Sequence, residues 1–103
     1  MKGDRSMSIY ILLINYTQQG IENIKEGPGR LDAAKDAVKA MGGDIKGFYL
    51  TMGRYDLIAI VEAPDDETAT RLVLALGSGG AIRTETLRAF TEGEYRQIIA
   101  ALP

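Results

Sequence analysis

Apolar residues along this chain follow two rhythms. Ser8–Tyr16, SIYILLINY, is apolar at both parities, with Ile9, Ile11 and Leu13 on one face and Tyr10, Leu12 and Ile14 on the other. A strand with one wet face would alternate, so this segment predicts a strand covered on both sides. Tyr55–Ala63, YDLIAIVEA, has the same double-faced centre. Asp44–Met52 alternates through Phe48, Leu50 and Met52, and Ala81–Phe90 is mixed; both predict strands. Between them the period lengthens to that of a helix. Leu31, Ala34, Val38 and Met41 recur between Pro28 and Gly42–Gly43, and Ala69, Leu72, Val73 and Leu76 between Asp65 or Asp66 as cap and Gly77. Thr17 is placed to cap a short helical turn carrying Ile21 and Ile24. At the end, T-x-x-E at Thr91–Glu94 is a capping box ahead of Tyr95, Ile98, Ile99 and Leu102, which predicts an ordered, packed last helix.

The order is βαββαβ plus a C-terminal helix, the ferredoxin-like split arrangement of an α+β domain. In it the first and third strands are central, and these are the two that are apolar on both faces. With Gly53–Arg54 as a two-residue turn, Leu50 pairs with Leu57 and Phe48 with Ala59. Phe48, Leu50, Met52, Leu57, Ala59 and Val61 then lie under the helices, and Ile45, Tyr49, Thr51, Asp56, Ile58, Ile60 and Glu62 on the open face. With Leu12 and Ile14 assigned to that face, it holds the kind of apolar patch that lone soluble domains avoid. A second copy related by a two-fold axis is the expected cover, so the chain is read as a homodimer or higher oligomer.

Length and charge narrow the rest. One domain, residues 8–103, fits 103 residues, with residues 1–7 as a flexible N-terminus. No apolar run reaches the roughly 18 residues of a membrane span, and no signal-peptide core is seen, so a cytoplasmic place is the default. Twelve Lys and Arg against fourteen Asp and Glu give a net charge of −2. That lacks the dense positive surface of a dedicated nucleic-acid binder. Histidine and cysteine are both absent. The chain therefore has no disulfide, no Cys or His zinc site, no thiol nucleophile and no imidazole base. No cofactor or metal is expected, and no catalytic residue is assigned.

The local motifs read as structure. GSGG at Gly77–Gly80 leaves a helix and enters a strand, the reverse of a phosphate cradle. Asp65, Asp66 and Glu67 suit a helix N-terminus. Arg83 and Arg88 are edge-strand charges. The candidate site lies at the hairpin end of the open face. Tyr49, Thr51 and Asp56, with Asn15 or Tyr16 close by, combine aromatic, hydroxyl and carboxylate groups beside an oily surface, the make-up of a small-ligand pocket or of an interfacial hydrogen-bond network.

The run FYLTMGRYDLIAIVEAPDDETA, Phe48–Ala69, resembles the GYD domain family, with Arg54 separating the Gly from the Tyr-Asp pair. Tyr16–Thr17, Arg30–Leu31, Leu74–Gly77 and Arg83–Phe90 are similar to its pattern. The resemblance implies a dimeric α/β barrel of ferredoxin-like domains and leaves activity open. The G-x-Y-D hairpin also resembles the ligand-sensing domain of leucine-responsive regulators, which binds amino acids between subunits. No helix-turn-helix accompanies it here. The favoured expectation is a binding or assembly module holding a small molecule at a subunit interface near Gly53–Asp56. The alternative is a cofactor-independent enzyme of the dimeric-barrel type using Asp56 and Tyr49.

Overall fold

A computed structural model describes residues 7–103; the expected looseness of residues 1–7 falls almost wholly outside them. Four strands, β1 (Ser8–Tyr16), β2 (Asp44–Leu50), β3 (Leu57–Ala63) and β4 (Ile82–Ala89), form one antiparallel sheet in the order β2-β3-β1-β4. The helices are α1 (Gln18–Glu22), α2 (Gly27–Ala40), α3 (Asp66–Gly77) and α4 (Glu92–Ala100), with a 3-10 turn at Ile24–Glu26. This is the α+β, ferredoxin-like arrangement with a C-terminal helix, and the two doubly apolar strands are the central pair.

Each helix start has a local cause. Thr17 Oγ1 accepts from Gly20 N at 3.2 Å, and Asp65 Oδ1 from Thr68 N at 2.8 Å. Pro28 sits in the first turn of α2, where its missing N–H costs nothing. At α4 both halves of the capping box form, Thr91 N to Glu94 Oε1 at 2.8 Å and Glu94 N to Thr91 Oγ1 at 3.1 Å. α1 is tied to the loop before β4. Thr17 N donates to Ala81 O at 3.0 Å, and Thr17 Oγ1 to Gly80 O at 2.5 Å. The approach is so close that a Cβ on Gly20 would lie 2.1 Å from Ala81 O, so only glycine fits there.

The core lies between the sheet and the helices. Tyr10, Leu12 and Ile14 of β1 and Leu57, Ala59, Val61 and Ala63 of β3 are buried against Val38 of α2 and Ala69 and Leu72 of α3. This corrects the facing expected for Leu12 and Ile14. Cross-strand partners share a face, and Leu12 pairs with Ala59 and Ile14 with Leu57, on the helix side. The open face carries the other parity: Ile9, Ile11 and Leu13 beside Ile60 and Ile58, all half-buried.

The β2–β3 register is as expected, with Leu50 opposite Leu57 and Phe48 opposite Ala59. It continues past the strands through Thr51 N to Asp56 O at 2.8 Å. Gly53 has φ +112°, a conformation that disfavours side chains. Two expectations fail here. An irregularity between Ile45 and Gly47 puts Ile45 opposite Val61 and against the core, instead of on the open face. Leu50 and Met52 have the expected parity, but the hairpin outruns the helices, leaving Met52 99% exposed. The C-terminal helix forms with its capping box but buries no residue. Among the described residues the expected packing of its stripe does not occur.

Candidate functional site

Asp56 is the centre of the hairpin end. Its N–H donates to Ile14 O at 2.9 Å and to Asn15 Oδ1 at 3.1 Å. Its carboxylate Oδ2 accepts from Tyr16 N at 2.9 Å. The residue thus prolongs the β1–β3 ladder past Leu57, using its side chain where the ladder runs out. Thr51 Oγ1 donates to Tyr55 O at 2.6 Å, which stiffens the same turn. Asn15, Thr51 and Asp56 are therefore brought together. Tyr16 joins them only through its backbone, since its ring packs against the core and beside Gly20. Tyr49 stands on the open face opposite Ile58, largely exposed, with its ring edge close to Gly47. No hydrogen bond ties it to Asp56 among the described residues.

Two further residues belong to this end of the face. Tyr55 donates its hydroxyl to Glu85 Oε1 at 2.7 Å, linking the hairpin to β4. That bond to a carboxylate is the main cause holding the Tyr55 hydroxyl above its ordinary pKa. The signal for Tyr55 lay in the G-x-Y-D segment itself. Glu85 carried none beyond sharing the Arg83 face.

A second polar cluster sits between α3 and β4. Tyr10 donates its hydroxyl to Asp66 Oδ1 at 2.5 Å. Arg88 approaches the same oxygen at 3.8 Å and lies over the Tyr10 and Phe90 rings at 5.6 and 4.6 Å. Burial first, then the bond to Asp66, pushes the Tyr10 hydroxyl up. Ala69, Thr70, Val73 and Thr86 complete an open groove of about 250 Å³. Arg88 is thus held by Tyr10, Asp66 and Phe90, which goes beyond an edge-strand charge. Among the described residues no group of three or more acidic, His or Cys side chains is placed to hold a metal ion. No helix among them is long and apolar enough to cross a membrane.

The family model of the GYD domain matches residues 10–99, from within β1 through β4 to nearly the end of α4. The chain belongs to the GYD domain family. A relative from Thermus thermophilus, named glutamine synthetase and cystathionine beta-lyase binding protein, is 32% identical over 84 residues, covering 81% of this chain and 88% of that protein. Among solved structures, the leucine response regulatory protein of Mycobacterium tuberculosis superimposes with a TM-score of 0.62 at 12% identity over 82% of this chain. This chain spans about half of that one, 51%. At that identity the likeness establishes the ferredoxin-like fold alone. For a GYD domain, the hairpin that carries the family's residues is built here as a connector of strands: its Gly supplies the turn, its Tyr reaches β4 and its Asp finishes the β1–β3 ladder.

Proposed function

We propose that this GYD domain is a self-associating, non-catalytic binding module that pairs through its open sheet face and engages other proteins, with metabolic enzymes of the cytoplasm as its partners. The observation that carries the reading is the open face. Ile9, Ile11, Leu13, Ile58 and Ile60 lie side by side, and among the described residues no helix covers them. Burying what each of these partly covered side chains still exposes is worth roughly 0.5–1.5 kcal/mol. Stacking two such faces about a two-fold axis gives each copy the missing layer. The enzyme partners are argued by kinship: the Thermus relative, matched over most of both chains, is named for binding glutamine synthetase and cystathionine beta-lyase.

A small molecule held near Gly53–Asp56, or catalysis by Asp56 and Tyr49, has less support. The Asp56 carboxylate already accepts the Tyr16 N–H and completes a strand ladder, and Tyr49 is not bonded to it. Neither residue stands beside an imidazole or thiol, because the chain has none. Light scattering after gel filtration at micromolar concentration is expected to return at least twice the 11.2 kDa chain mass. Immobilised protein is expected to retain purified glutamine synthetase from its own host. A monodisperse single-chain species sinks the pairing, and failure to retain that enzyme removes the closest partner argument.

A further inference from the structure

The open face is apolar at its centre and charged toward two opposite corners, and the strand register fixes where. Glu62 of β3 lies opposite Ile9 on one side and Asp44 on the other. Arg83 of β4 lies opposite Asn15, at the far end of β1. Both side chains share the parity of Ile11 and Leu13, so both belong to the open face. Glu62 is half-buried there and Arg83 is exposed.

The other charges around this face are matched within the chain. Lys46 Nζ lies 3.5 Å from Asp44 Oδ2. Glu85 accepts from the Tyr55 hydroxyl and Asp56 from the Tyr16 N–H. Arg54 lies beside the Tyr55 hydroxyl. Among the described residues, the side chains of Glu62 and Arg83 have neither a hydrogen bond nor an ion pair. One is an acid and the other a base. They stand two strands apart and are offset by the length of β1 from Ile9 to Asn15. At the spacings of a sheet that is ~22 Å, so the two charges cannot meet in a single chain.

We propose that two copies stack their open faces in the one register that sets Arg83 of each against Glu62 of the other. The inference rests on the pairing of open faces proposed above, and it names the register and the residues that select it. The midpoint between Glu62 and Arg83 falls on β1 between Ile11 and Leu13, at the apolar centre of the face. A two-fold axis through that point, lying between the sheets at right angles to the line joining the charges, exchanges them. It brings Ile11 of one copy beside Leu13 of the other and Ile58 against its own mate. Both ion pairs form at once, because the contact is isologous. Other axes leave the charges unmatched. An axis along the strands carries Glu62 over Ile9 of the second copy. An axis across the strands carries it over the Asp56 end of β3, acid toward acid. A charge at the margin of a closing apolar interface loses water, and only an opposite charge offsets that loss. Charge pairing of this kind fixes register more than it adds affinity.

Swapping the charges tests the register. Arg83→Glu sets acid against acid twice in each dimer, and Glu62→Arg sets base against base. Each is expected to weaken dimerisation at least tenfold in sedimentation equilibrium. A chain carrying both changes is expected to return to within about threefold of the parent. The two single variants, mixed, are expected to pair with each other in preference to themselves. Lys35→Glu, on the exposed side of α2, alters net charge as Arg83→Glu does and is expected to have no effect. A second reading does not depend on charge. The chain has no native cysteine, so separately purified Glu62→Cys and Arg83→Cys chains, mixed and treated with a short bis-maleimide, are expected to give a covalent heterodimer. Lys35→Cys in place of Arg83→Cys is expected to give none. Single variants that dimerise like the parent, a double variant whose loss is the sum of the two, or crosslinking that is absent or equal to that of Lys35→Cys each overturn the register. With a dimeric parent, those outcomes leave the pairing of open faces standing. A parent chain that is itself monomeric ends both.

Discussion

The two faces of the sheet are built from similar residues and have different fates. On the helix side Leu12, Ile14, Leu57 and Val61 are buried beneath Val38 and Leu72. On the other side Ile9, Ile11, Leu13, Ile58 and Ile60 are half-buried, and among the described residues their cover comes from their neighbours in the sheet. Hydrophobicity alone does not separate these sets; what differs is whether the same chain supplies a second layer. One face is core by the chain's own means. The other has no second layer among the described residues and would become core only under the pairing proposed above.

The sharpest way to break that comparison is to put the same charge on each face. Leu12→Asp would bury a carboxylate with no partner, at a penalty of several kcal/mol against a total stability of about 5–15 kcal/mol. It is expected to be unfolded by circular dichroism. Ile11→Asp, one residue away, is expected to keep its fold and dissociate to a single chain by light scattering. Ile58→Asp should match it, because Ile58 shares the Ile11 face. If Ile11→Asp remains assembled with an unchanged melting curve, the open face is not an interface.

The next effect concerns glycines that look alike in sequence. Gly20→Ala would drive a methyl into Ala81 O, an overpacking cost of about 2 kcal/mol, or a melting temperature lower by roughly 10 °C. Gly29→Ala meets nothing within 4 Å and lies in a helix, so a rise of a degree or two is expected from propensity. Equal effects at the two positions would mean that the contact between α1 and the Ser78–Gly80 loop is not rigid.

Asp56 separates scaffold from ligand. Asp56→Ala removes the acceptor for Tyr16 N–H and is expected to destabilise by about 1–2 kcal/mol. Asp56→Asn retains an acceptor and should lose less than half of that in denaturant titrations. If Asp56→Ala melts like the parent, the residue is free for another role, and the small-ligand reading gains ground.

The smallest effect is one of pH. The folded protein holds the Tyr10 proton more tightly than the unfolded chain, so folding is favoured while that hydroxyl is protonated. This contribution is complete below the ordinary tyrosine value of about 10 and is lost as pH rises through the higher folded value. Stability between pH 9 and 11.5 should fall less steeply in Tyr10→Phe than in the parent. Parallel curves would show that the Tyr10–Asp66 bond adds nothing.

Much of the architecture is legible in the sequence because its causes are local. Alternation and turn chemistry predict four strands and the pairing of Leu50 with Leu57. The cap at Thr91 and the Pro28 start need only neighbours within a turn. Double-faced apolarity also marks β1 and β3 as the central strands. The errors all needed distant partners. Which parity of β1 faces the helices depends on its register against β3, and a shift by one residue exchanges every side chain. Ile45 changes sides through a single irregularity opposite Val61, which no local pattern announces. Asp56 reads from sequence as a carboxylate able to accept hydrogen bonds, but its donor, the Tyr16 N–H forty residues earlier, is supplied only by the fold. Glu85 gains meaning only when Tyr55 arrives across the sheet. For α4, the stripe and cap fix that a helix forms, but whether its apolar side finds a partner depends on where β4 releases it. Sequence determined which segments are strands and helices, since backbone sterics and periodicity act over a few residues. The tertiary structure decided which apolar surfaces the chain covers and which it leaves open, since that depends on the three-dimensional addresses of residues tens of positions apart.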